Sequence, residues 1–151
     1  MKKLLLATSL VSAAASADNY PNDFMYEANI VKHWVVGVDE GVIATLNAQY
    51  DSVIAIAPIS KESFSFAMID GTSWCDANYF DERQGTLIIN DDAYKSTVTC
   101  EDGHVAESTV IGLGTIDAFK RGAKVNVNAT EYTLNRFTAS YLKLMELQGY
   151  M

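Results

Sequence analysis

The strongest constraint on the fold is a period of two that recurs along most of the chain. In Phe64-Ser65-Phe66-Ala67-Met68-Ile69, closed by Asp70-Gly71, successive side chains alternate and put Phe64, Phe66 and Met68 on one face. Similar runs rich in Val, Ile, Thr and aromatics occupy 31–38, 42–49 and 53–57, the last ended by Pro58. Asp39-Glu40-Gly41 between the first two is a hairpin signal, because Gly is free to take positive φ. Residues 86–89 and 96–100 flank the turn Asn90-Asp91-Asp92, and 124–129 alternates again, with 132–134 able to pair with it.

The period lengthens in two places. Residues 115–121 read as a short helix with Thr115 as cap, Asp117 in its first turn, Lys120 and Arg121 in its last and Gly122 as its stop. From Asn135, a good N-cap, to about Gln148, Phe137, Tyr141, Leu144 and Met145 recur at i, i+4, i+7 and i+8, and Gly149 follows. The expected fold is mainly β: a single antiparallel sandwich or barrel-like domain with a short helix and a C-terminal helix.

The first seventeen residues stand apart. Lys2 and Lys3 precede an apolar stretch over 4–11, and Ala15-Ser16-Ala17 is an A-x-A cleavage pattern. Residues 1–17 therefore read as a signal peptide of bacterial form and 18–151 as one exported domain, periplasmic or secreted, with no Cys after the cleavage point to carry a lipid anchor. No later stretch approaches the roughly 20 apolar residues that a membrane-crossing helix needs. Of 151 residues, 134 remain, and without the two lysines the formal charge of −8 becomes −10. An acidic chain disfavours a nucleic-acid partner, which needs clustered Lys and Arg, and favours a basic protein.

Export gives meaning to Cys75 and Cys100, the only two cysteines. An oxidising compartment favours joining them in a disulfide, the rival roles being a reactive thiol or a metal ligand. Catalytic patterns are sparse. A nucleophilic triad would need His33 or His104, and Gly112-Leu113-Gly114-Thr115 lacks the serine of a nucleophile elbow and the lysine of a phosphate loop. Asp76, Asn78, Asp81 and Glu82 are the densest oxygen-ligand cluster, but Phe80 breaks the EF-hand spacing, leaving Asp76, Asp81 and Glu82 as weak metal candidates. No cofactor is called for. Trp74 beside Cys75 suits a ring packed on the disulfide, or else a contact patch with Tyr79 and Phe80, which lie among polar residues.

The second half of the chain resembles the invasion-associated locus B family of exported bacterial proteins. The matching words are Gly85-Thr86-Leu87-Ile88-Ile89-Asn90, Tyr94-Lys95-Ser96-Thr97-Val98-Thr99-Cys100, Gly103-His104-Val105-Ala106-Glu107 and Ile116-Asp117-Ala118-Phe119-Lys120-Arg121-Gly122. Lys124-Val125-Asn126-Val127, Tyr132-Thr133-Leu134 and Phe137-Thr138-Ala139 then follow in the order of its closing hairpin and terminal helix. His104 stands where that family usually has a second Cys. The resemblance implies a β-sandwich-like exported protein linked to host-cell interaction, with no catalytic residue to carry over. The expected role is binding, not catalysis; the alternatives are an inhibitor of a secreted hydrolase or a small Ca-dependent enzyme.

Overall fold

The computed structural model describes residues 33–49 and 51–151; the signal-peptide reading of 1–17 lies outside them. Among these described residues nine strands form one antiparallel sheet curled into a half-barrel. In chain order they are β1 (Val35–Gly37), β2 (Val42–Leu46), β3 (Ser52–Pro58), β4 (Ser63–Asp70), β5 (Arg83–Ile89), β6 (Asp92–Glu101), β7 (His104–Gly112), β8 (Lys124–Val127) and β9 (Thr130–Thr133), and across the sheet β1-β2-β3-β4-β7-β6-β5-β8-β9. Among the described residues two helices, α1 (Leu113–Arg121) and α2 (Phe137–Leu147), complete the mainly β fold expected from the sequence, in its barrel-like form.

Registers fix what faces inward. Ile43 pairs with Ile56, Ile56 with Phe66, Phe64 with Ile111 and Leu87 with Tyr94, so these side chains share the concave face. Against it α1 turns Ile116 and Phe119, and α2 turns Phe137, Tyr141, Leu144 and Met145. Rings connect the layers: Phe66 to Phe119 at 6.3 Å, Phe119 to Phe137 at 5.5 Å edge-on, Phe137 to Trp34 at 5.0 Å edge-on and Phe64 to Tyr141 at 5.7 Å. Strands β2 and β3 are buried on both faces, so 53–57 is a continuous apolar run rather than an alternating one.

The curl is held by bonds between distant parts of the chain. Trp34 Nε1 donates to the Thr133 carbonyl at 2.7 Å and its backbone N–H to that of Asn135 at 2.9 Å. Ser52 on β3 shares a hydrogen bond of 2.5 Å with the Tyr132 hydroxyl on β9. Burial pushes that phenol up to about 12, opposed by the Ser52 bond and reinforced by the charges of Asp51 and Asp70.

Several local expectations need correction. Residues 104–112 form a strand, β7, that no alternation in the sequence announces. β5 and β6 are longer than 86–89 and 96–100 and meet closer to the turn. Helix α1 starts at Leu113 after Gly112, and Thr115 does not cap it; its hydroxyl bonds that of Tyr94 at 2.8 Å. The N-cap of α2 is Arg136 at φ 62°, not Asn135, because the Asn135 carbonyl is taken by Trp34. The 124–129 run stops at Val127: Asn128 and Ala129, at φ 48° and 67°, make a two-residue turn into β9.

That turn leaves a gap. β8 pairs with β5 only at Ile89–Val127, and the Asn128 side-chain oxygen then accepts the Ile88 N–H at 2.9 Å while the Asn128 backbone N–H donates to the Ile88 carbonyl. Below Ile88, β5 has β6 on one side and no strand on the other among the described residues.

Candidate functional site

The segment between β4 and β5 carries the residues singled out from the sequence, and it is held at several points. Asp70 Oδ1 accepts from the Thr72 N–H and hydroxyl at 2.9 and 2.7 Å, an Asx turn that begins the loop. Ser73 then faces the β6–β7 turn: its hydroxyl donates to the Asp70 carbonyl at 2.6 Å and accepts the Val105 N–H at 2.8 Å. His104 Nδ1 lies 3.0 Å from the Ser73 carbonyl, and the Cys75 N–H donates to Gly103 at 2.9 Å. Cys75 is buried and disulfide-bonded to Cys100, with Cα atoms 6.0 Å apart, so both thiols are consumed. His104 opens β7 half-buried and helps latch the loop.

Because Ser73 and Cys75 both turn toward the sheet, the residue between them must point away. Trp74 is 80% exposed, which corrects the expectation of a ring packed on the disulfide. Tyr79 is 86% exposed, following a turn in which Asp76 accepts the Asn78 and Tyr79 N–H groups through Oδ1 and its carbonyl. Phe80 is half-buried, and the Arg83 guanidinium lies 5.3 Å from its ring centre. Two exposed aromatic rings thus stand on backbone fixed by a covalent bridge and a hydrogen-bonded latch, with little entropy left to lose when a partner covers them.

The carboxylates do not converge. No group of three or more His, Cys, Asp or Glu able to hold a metal ion occurs among the described residues, and Asp76, Asp81 and Glu82 do not form one. Asp81 and Glu82 are exposed, while Asp76 is spent on the turn. No described helix is long and apolar enough to cross a membrane.

Two features have no counterpart among the sequence motifs. A hollow of about 220 Å³ lies between the β5–β6 turn and α1, lined by Ile89, Asp92, Tyr94, Thr115 and Phe119, but its two hydroxyls bond each other. On the concave face, half-buried Glu107 accepts the Ser96 hydroxyl at 2.5 Å and the Asn128 amide at 3.3 Å. Both donors are neutral, and the ion pairs among the described residues, Lys120–Asp117 and Lys124–Glu131, leave Glu107 without a cation. Only the register of β6 and β7 places Glu107 beside Ser96 and Asn128, so no sequence spacing signals the cluster.

No family model, curated protein or solved structure matches the chain.

Proposed function

We propose that the protein is an exported bacterial binding protein, periplasmic or secreted, that engages a basic protein or host-surface component through Trp74 and Tyr79. The observation that carries this reading is the exposure of both rings on a loop whose backbone is latched by Cys75–Cys100, Ser73 and His104. Large aromatic rings are the side chains most enriched among dominant contact residues, and a latched loop presents them at low entropic cost. Asp81 and Glu82 on the same loop, and a formal charge of −8 that becomes −10 once Lys2 and Lys3 are removed, select a basic partner. The resemblance of the second half to the invasion-associated locus B family points the same way, toward host-cell contact.

The test is affinity capture from the exporting cells' surface and medium fractions, comparing the mature protein with Trp74→Ala and Tyr79→Ala. Loss of a dominant contact costs about 2 kcal/mol, or roughly 30-fold in Kd. A basic protein held by the parent and weakened that much by Trp74→Ala, and further by salt, is the expected outcome. Equal capture by all three proteins overturns the reading.

A further inference from the structure

We propose that the open edge of β5 at Gln84, Gly85 and Thr86 is a docking site for an extended segment of a partner protein that carries a Lys or Arg. The segment adds as a strand and sets its cation against Glu107.

The backbone directions follow from the hairpin. Ile89 and Asp92 flank the two-residue turn, so the N–H and C=O of Ile89 point at β6 and those of Ile88 point away, where Asn128 receives them. Counting back by twos, Gln84 and Thr86 also aim their N–H and C=O away from β6. The ladder to β8 has ended by then, because its chain turns at Asn128 and Ala129. Gln84 and Thr86 are exposed, so water reaches this edge. An antiparallel segment can form four backbone hydrogen bonds to these two residues, the usual mode of strand addition to a sheet edge.

The residue of the added strand opposite Gly85 projects onto the concave face. A Cβ on Gly85 would lie 3.1 Å from Glu107 Oε2 and 3.1 Å from Ser96 Oγ, so glycine keeps the approach to the carboxylate open. The Glu107 oxygens accept only from the neutral Ser96 and Asn128, and a half-buried carboxylate held by neutral donors gains most from a charged one. A second copy of the chain fits poorly: symmetric pairing about Gly85 sets glycine opposite glycine and brings two Glu107 carboxylates together without a cation.

The inference goes beyond the aromatic loop and does not rest on it. The probe is a blocked heptapeptide, Thr-Val-Thr-Lys-Thr-Val-Thr, titrated into the isotope-labelled mature protein and followed by amide NMR shifts. Binding that moves Gln84, Gly85 and Thr86 is expected, weakened about 10-fold or more when the peptide lysine is replaced by glutamate or the protein carries Glu107→Gln. N-methylation of the two peptide residues flanking the lysine abolishes binding while leaving the protein unaltered. Trp74→Ala leaves it unchanged, which separates this site from the loop. The proposal is overturned if the lysine peptide does not bind or shifts other amides, or if the glutamate or N-methylated peptide binds as well. A dimer of the free protein that disappears on Thr86→Pro also overturns it, since the edge is then occupied by a second copy.

Discussion

Breaking the Cys75–Cys100 bridge offers the most direct energetic test of the fold. The bridge joins residues 25 apart and encloses Tyr79, Phe80, β5 and most of β6. In the chain-entropy description, releasing a loop of that length gives the unfolded ensemble about 12 cal/mol/K, or about 3.5 kcal/mol at room temperature. With a urea dependence of about 2 kcal/mol/M for a chain of this size, the unfolding midpoint falls by about 2 M. The corresponding loss in Tm is about 14 °C. Urea unfolding followed by tryptophan fluorescence with and without reductant isolates the cross-link, because the reduced protein keeps both side chains. Cys75→Ala combined with Cys100→Ala adds the small packing loss at buried Cys75. A midpoint shift below about 0.5 M, equivalent to roughly 1 kcal/mol, refutes the argument. The β5–β6 hairpin would then already restrain the loop in the unfolded chain, leaving the bridge little entropy to remove.

Two further perturbations probe the ends of the sheet. Tyr132 is pushed up to about 12 chiefly by burial, so between pH 10 and 12 the native state keeps a proton that the unfolded chain has lost. Stability therefore falls with rising pH by about 1.4 kcal/mol per unit over that window; urea midpoints across it decline less steeply in Tyr132→Phe, and equal slopes contradict the assignment. Ala129 occupies the left-handed region at φ 67°, so Ala129→Gly relieves about 1 kcal/mol of backbone strain and raises Tm by about 4 °C, whereas a lower Tm shows that the methyl group is needed.

What the sequence revealed depended on whether each strand faces the same environment along its length. The run from Phe64 to Ile69 was legible because Phe64 and Phe66 meet the helices. β7 was not, because its inward positions include Glu107 and Thr109 while its outward Val110 is 59% exposed, which inverts the expected pattern. Both helices are legible in the sequence from their buried faces, but their starts are not. Thr115 and Asn135 are good caps by propensity, yet one hydroxyl goes to Tyr94 and one carbonyl to Trp34, partners distant in sequence. In the candidate site, the cysteine pairing and an exposed ring among polar neighbours were readable locally. The outward turn of Trp74 was not, since it depends on Ser73 and Cys75 both being drawn to the β6–β7 turn.

The Asn128–Ala129 turn also acts as a length setting. It ends β8 one pair into its ladder with β5. Four more residues on each arm of that hairpin would carry the ladder down to Gly85, satisfy the outward groups of Thr86 and roof Glu107 over. A change of eight residues in one surface hairpin thus separates an open β5 edge from a covered one, and it can alter access to Glu107 without touching the core.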